Sequence, residues 1–111
     1  MSLLEQRIKA RTSSVIAGGR SFSIRRPTDE EALKIGNEGA DMLSIVRRFV
    51  TEWDITELDL VSSGTNVKVP FDADLFADWI ADQPALWVPL GEAILSAYKA
   101  HVDKRELAEK N

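Results

Sequence analysis

The sequence contains no cysteine, a single histidine and a single tyrosine. Without cysteine, the chain can form neither a disulfide scaffold nor a thiolate metal site, and it has no cysteine nucleophile. No apolar run approaches the roughly 20 residues that span a bilayer, and the first residues lack the apolar stretch of a signal peptide. We therefore expect a protein that stays in the cytoplasm, where it is made, without contacting a membrane.

Residues that catalyse reactions or bind cofactors are scarce. The one histidine, His101, has no metal-ligating residue or proton partner among its neighbours at helical spacing. The pair Gly18-Gly19 is not followed by the pattern of a phosphate-binding loop. The sequence therefore predicts a protein that is not an enzyme and that holds no cofactor or metal.

The charge is unevenly distributed along the 111 residues. Residues 1–26 sum to +5, so the remainder sums to −9. We expect a flexible basic arm over residues 1–19, a helical domain over residues 20–104 and a charged tail over residues 105–111. The basic side chains suit an acidic partner or the acidic body itself, whereas nucleic acid is an unlikely partner because stacking aromatic residues are scarce nearby. They are Arg7, Lys9, Arg11, Arg20, Arg25 and Arg26.

The first part of the chain contains short segments whose residues are small or alternate between apolar and polar. Residues 12–19 are small, β-branched or glycine, which indicates a flexible segment. Residues 20–26 alternate between apolar and polar, which is typical of a half-buried strand, and residues 66–70 offer a second short strand that can pair with it as a ribbon. Thr28 and Glu31 have the spacing of a capping box, which predicts a helix that begins there and ends near Asn37.

Apolar stripes at helical spacing predict the rest of the fold. One stripe, which runs from Met42 to Trp53, predicts a central core helix over residues 41–53. Asp72 is placed to cap another helix, and a final helix is expected from about residue 85 to residue 104 or beyond. The fold class is therefore predicted to be mainly α, a small single-domain helical bundle with a short two-stranded β ribbon.

Two sets of residues are candidates for binding a partner. The final helix carries an apolar stripe, which is either core or a docking surface, and an acidic row on the preceding helix is either solvated surface or a face for a basic partner. The stripe consists of Trp87, Leu90, Ile94 and Tyr98, and the acidic row of Asp74, Asp78 and Asp82.

Several segments resemble a known family. They are residues 22–31 (FSIRRPTDEE), 69–82 (VPFDADLFADWIAD), 84–90 (PALWVPL), the pair Ala97-Tyr98 and the ending 109–111. Together they resemble small proteins that are encoded in the tail gene clusters of long-tailed bacteriophages and are assigned as tail assembly chaperones. The likeness covers residues 22–111 and consists of packing residues, not of catalytic or cofactor motifs.

The resemblance implies a non-enzymatic role in the cytoplasm of a bacterial host cell. Such chaperones coat the long helical tape-measure protein, help to bring tail-tube subunits to it and are absent from the finished virion. Many occur in two lengths through ribosomal frameshifting, of which this sequence shows no sign. Two alternatives stay open: a structural head-tail connector, and a small nucleic-acid-associated regulator that uses the basic arm. The sequence also leaves self-association open.

Overall fold

The computed structural model describes residues 1–110, so that Asn111, the last residue of the predicted tail, lies outside the described residues. Helix accounts for 60% of the residues and a small three-stranded antiparallel sheet supplies the β structure, which confirms the prediction of a mainly α single domain with a short β element. The elements are α1 (Leu3–Ala10), β1 (Thr12–Ala17), β2 (Arg20–Arg25), α2 (Asp29–Glu38), α3 (Met42–Phe49), β3 (Val50–Trp53), α4 (Glu57–Leu60), α5 (Ala73–Ala81) and α6 (Pro84–Lys110).

The basic N-terminal region contains a β hairpin. β1 and β2 are antiparallel, and Ala17 pairs with Arg20 across Gly18-Gly19. Both glycines have positive φ, 57° and 74°. Two residues in this backbone conformation form a hairpin turn whose twist matches that of the strands. The structure therefore differs from the flexible segment expected over residues 12–19, because the glycine turn lets the β-branched residues of β1 pair with β2.

The second neighbour of β2 is β3, not the segment over residues 66–70. Phe22 pairs with Trp53 and Ile24 pairs with Val50, which gives the order β1-β2-β3. Residues 66–70 contribute an isolated bridge between Thr56 and Lys68 instead. The ribbon expected between residues 20–26 and 66–70 is thus replaced by a larger sheet, because β3 supplies the apolar partners that face the same side as Phe22 and Ile24.

The apolar stripe expected to form one helix over residues 41–53 is divided between α3 and β3. Asp41 caps α3 by accepting a hydrogen bond from the Ser44 amide at 2.8 Å. The helix ends at Phe49, and Val50 is extended at φ −81° and ψ 129°. Val50 and Trp53 are three residues apart and would face opposite sides of a regular strand, but the register shifts within this pairing. This bulge lets both side chains be buried.

The capping box predicted for α2 is confirmed. The Thr28 hydroxyl accepts a hydrogen bond from the Glu31 amide at 3.2 Å, and the Glu31 carboxylate accepts one from the Thr28 amide at 3.0 Å. The same carboxylate accepts two hydrogen bonds from the Arg25 guanidinium, at 2.9 and 3.1 Å. The start of α2 is therefore fixed to the end of β2 by a charge-assisted bidentate pair.

The core lies between one face of the sheet and the helices α3, α5 and α6. Trp53 is 2% exposed, and its indole N–H donates to the Val69 carbonyl oxygen at 2.8 Å. Gly91 lies where α3 meets α6, since a Cβ atom there would overlap the Met42 side chain. The fully buried side chains of this core are Phe22, Ile24, Val46, Phe49, Trp53, Ile55, Phe76, Ile80, Leu90 and Ile94.

The last two helices begin at residues that suit a first turn. Asp72 caps α5 as predicted and accepts a hydrogen bond from the Leu75 amide at 2.9 Å. α6 begins at Pro84, contains Pro89 and continues to Lys110, so the helix includes residues 105–110 of the predicted charged tail. Its later turns are held in part by Arg105, which binds the Asp29 carboxylate at 2.6 Å. No helix within residues 1–110 has the length and apolar character needed to cross a membrane.

Candidate functional site

The apolar stripe of α6 that was a candidate docking surface belongs largely to the core. Leu90 and Ile94 are 0% exposed. Trp87 is half-buried and its indole N–H donates to the Ile80 carbonyl oxygen at 2.7 Å. Tyr98 is also half-buried, and its hydroxyl donates to a carboxylate of α2 at 2.8 Å. A docking surface has to be accessible to its partner, and Leu90 and Ile94 are not. These two residues therefore belong to the core, where they hold α6 in place.

A groove of about 310 Å³ lies beside α5, on the face that carries two of the three predicted acidic residues. α5 and its C-terminal cap Asp82 supply two pairs at a spacing of four residues, Leu75 with Trp79 and Asp78 with Asp82, so each pair lies along one side of the helix. Asp74 is exposed but does not line the groove. The lining residues are Asp59, Leu60, Val61, Leu75, Asp78, Trp79, Asp82 and Gln83.

The floor of the groove rests on the aromatic core. The Trp79 ring centroid lies 5.9 Å from that of Trp53 and 6.3 Å from that of Phe22, so its inner side is packed while the residue remains half-buried. The opposite wall is the end of α4, where Val61 is 55% exposed. The groove is thus an apolar surface on a rigid support, which is the usual setting of a binding site.

The rim of the groove is acidic, and two of its charges are not neutralised. Asp59 forms an ion pair with Arg20. The pKa of Asp59 is lowered first by a hydrogen bond from the Thr56 amide, at 2.8 Å, and further by the Arg20 charge. Within residues 1–110, Asp78 and Asp82 form no ion pair. The groove therefore presents uncompensated negative charge beside an apolar floor.

The six cations of the predicted basic arm are divided among different places. Arg20 pairs with an acid of the groove rim, and Arg25 pairs with the capping carboxylate of α2. Arg7 and Lys9 are exposed on α1, a helix that has no buried residue. Arg11, which caps α1, and Arg26 are half-buried and line common cavities. The arm is therefore not one continuous basic surface.

Sequence reasoning found the acidic rim of the groove but missed its apolar lining. Leu60 and Val61 come from a distant segment, and no local pattern links them to α5. A signal was present in α5 itself, where Leu75, Phe76, Trp79 and Ile80 are all apolar. Only Phe76 and Ile80 are fully buried. The stripe is therefore wider than the part of it that the core buries. Such an excess indicates that one edge of the stripe faces a groove.

No three histidine or acidic side chains within residues 1–110 are grouped so that they could hold a metal ion. Comparisons of the chain with protein-family models, with curated proteins and with solved structures find no match. The groove between the end of α4 and α5 combines half-buried apolar side chains with two unpaired carboxylates, and it is the candidate binding site.

Proposed function

We propose that this protein is a non-enzymatic assembly chaperone that acts in the bacterial cytoplasm and binds the tape-measure protein of a long-tailed bacteriophage. The observation that carries the proposal is the groove beside α5, in which an apolar floor adjoins two uncompensated carboxylates, Asp78 and Asp82. The choice of client rests on the resemblance of residues 22–111 to tail assembly chaperones.

The shape of the groove suits an amphipathic helix. A helix that docks in a groove inserts apolar side chains at spacings of three and four residues. Leu75 and Trp79 offer a matching floor, because they are four residues apart on α5 and both are only half-buried. Burial of each inserted leucine-sized side chain favours binding by about 1.5–3 kcal/mol before the costs of ordering. Two such contacts contribute about 3–6 kcal/mol, which is of the same order as the cost of association. The complex is therefore expected to be weak and to need the rim charges as well, which suits a chaperone that leaves its client.

The charge of the groove selects among amphipathic helices. Asp78 and Asp82 lie one turn apart along the rim, so they can meet lysine or arginine residues that follow each other at the same spacing on the client. Rim charges contribute more to the rate of association and to specificity than to affinity. We therefore infer that the occupant is a helical segment whose polar side is basic, and that its binding weakens as salt is raised.

Co-expression tests the proposed function. The tagged protein is produced together with a tape-measure protein and a tail-tube protein encoded in the same gene neighbourhood. We expect the tape-measure protein to be recovered in soluble form and retained with the tag only when this protein is present. If the tape-measure protein stays insoluble or unbound while this protein is folded, the chaperone function is wrong.

Charge reversal tests the assignment of the groove. The double variant Asp78→Lys/Asp82→Lys should lose most of the soluble client. The matched control is Asp74→Lys, which changes the same residue type on the same helix outside the groove. If both variants yield as much soluble client as wild type, the groove is not the binding site, although the chaperone function itself is not contradicted. Detection of the protein in purified virions would favour the structural connector instead.

A further inference from the structure

A second cavity, which shares no lining residue with the α5 groove, is lined by three basic side chains and a histidine. It has a volume of about 360 Å³ and lies where α1 joins β1, against α6. Arg11, Arg26 and Lys104 line it together with His101, whose pKa is lowered first by burial and then by the charge of Arg26. A smaller recess of about 110 Å³ shares the two arginines and adds Arg7. Cationic groups from three separate parts of the chain therefore converge on one concave surface.

These cations have little compensation from the protein itself. Within residues 1–110, neither the arginines of the cavity nor Lys104 form an ion pair. The nearby carboxylate of Asp29 is already bound by the Tyr98 hydroxyl at 2.8 Å and by the Arg105 guanidinium at 2.6 Å. The charge of Asp29 opposes the lowering of the Arg26 pKa by burial and so compensates the cavity in part, but within residues 1–110 Asp29 forms no ion pair with the arginines of the cavity or with Lys104.

One guanidinium group in the cavity also lacks a hydrogen-bond partner. The Nε atom of Arg11 is buried and has no acceptor. A buried donor of a charged group without an acceptor is unfavourable. Burial lowers the pKa of Arg26, and the charge of Arg11 lowers it further. A negatively charged hydrogen-bond acceptor in this cavity would therefore stabilise the protein, because it would accept from Arg11 Nε and offset the positive charges.

We propose that this cavity binds a single phosphate group, either as free phosphate or as the monoester of a small molecule. Arg11 and Arg26 would bind its oxygens with their planar guanidinium groups, and Lys104 would add a third positive charge. Three cations match a dianion better than the single charge of a carboxylate. A nucleic-acid strand is disfavoured, because no phenylalanine, tyrosine or tryptophan lines the cavity for base stacking and residues 27–111 carry a net charge of −9.

Binding of such a group would also fix the position of α1. No residue of α1 is buried, so its orientation depends on the contacts at its C-terminal end. An anion held by Arg11 on one side and by Lys104 on the other connects that end to α6. The proposed site is independent of the client groove, since it shares no residue with it.

Titration of the ¹⁵N-labelled protein with inorganic phosphate tests the site. Sodium phosphate is compared with sodium chloride and with sodium acetate at equal ionic strength. We expect saturable changes, with phosphate alone, in the amide signals of residues 10–13 and 97–104. A second series with glycerol phosphate distinguishes the sources, because tighter binding of the ester identifies a monoester and equal or weaker binding identifies free phosphate as the ligand.

Variants decide whether the cavity is responsible. Arg11→Gln and Lys104→Gln should each weaken phosphate binding by about tenfold, as expected for loss of one charge-assisted contact. Lys104 is exposed, so its replacement should leave the fold intact. Lys34→Gln, a change of an exposed lysine on α2, is the control and should bind phosphate as wild type does.

The proposal is overturned if the changes in the amide signals do not saturate, if chloride produces them equally, or if Lys104→Gln binds phosphate as wild type does. Binding of single-stranded DNA that is tighter than that of phosphate and falls steeply with salt would also overturn it, in favour of a polyanion surface.

Discussion

Replacement of Leu90 by alanine tests how α6 is held in the fold. Leu90 is 0% exposed, so the shorter side chain leaves a cavity that the packed surroundings fill only in part. Changes of this kind cost about 2–5 kcal/mol, and we take about 3 kcal/mol for Leu90. Unfolding entropy of about 2.1 cal/mol/K per residue gives about 0.23 kcal/mol/K for a chain of this length. The melting temperature should therefore fall by about 13 °C.

Val88→Ala is the matched control, because Val88 lies on the same helix and is 50% exposed. A surface change of this size should cost no more than about 0.5 kcal/mol, or about 2 °C. Thermal unfolding of both variants is followed by circular dichroism at 222 nm. If Leu90→Ala melts within a few degrees of Val88→Ala, then Leu90 does not support the core, and the stripe on α6 is again a candidate docking surface.

Two further predictions concern the carboxylate that caps α2 and the glycine after α4. Burial alone would raise the pKa of Glu31, but hydrogen bonds from Arg25 and Thr28 outweigh it and lower the pKa to about 2 from the model-compound value of 4.5. The stabilisation by this carboxylate is therefore complete above about pH 4.5 and is lost as the pH falls toward 2. The free energy of unfolding, measured with urea, should fall by about 2–3 kcal/mol over this range in wild type and by less in Glu31→Gln. A Cβ atom at Gly64 would overlap the backbone of Glu57, which cannot yield as a flexible side chain would. Gly64→Ala should cost about 1–3 kcal/mol and speed amide exchange in residues 57–65, whereas wild-type exchange rates there would contradict the close approach.

Features fixed by neighbouring residues were predictable from the sequence. The capping box of Thr28 and Glu31 and the cap at Asp72 both lie within one helical turn, and both are present. Such hydrogen bonds join residues three positions apart, so the spacing of the residue types is sufficient to identify them. The mainly α character follows in the same way from apolar stripes with the period of a helix.

The alternation over residues 20–26 predicted β2, but the pairing of β2 with β3 joins segments that are distant in the sequence and could not be derived in this way. Val50 and Trp53 fit the stripe of a helix as well as they fit a bulged strand, and only the pairing with β2 decides between them. β1 did have a local signal, since Gly18-Gly19 lies between two runs that contain β-branched residues. The small residues of the first run nevertheless favoured the reading of a flexible segment.

The candidate site was predictable only in part, for the same reason. Asp78 and Asp82 share one side of α5 through their spacing, so the sequence identified them as a possible docking face. Their apolar neighbours Leu60 and Val61 reach the groove through the tertiary fold, which the local sequence does not encode. The α6 stripe showed the opposite error, because periodicity predicts which side of a helix is apolar but not whether that side is buried.

A map of where the client binds tests the central claim most directly. The ¹⁵N-labelled protein is titrated with a basic helical segment of the tape-measure protein, at low and high salt. We predict saturable changes in the amide signals of residues 59–61 and 75–83, weaker binding at high salt, loss of binding in Asp78→Lys/Asp82→Lys and binding retained in Asp74→Lys. Changes confined to α1 or to the open edge of β1, with the groove signals unmoved, would contradict the account.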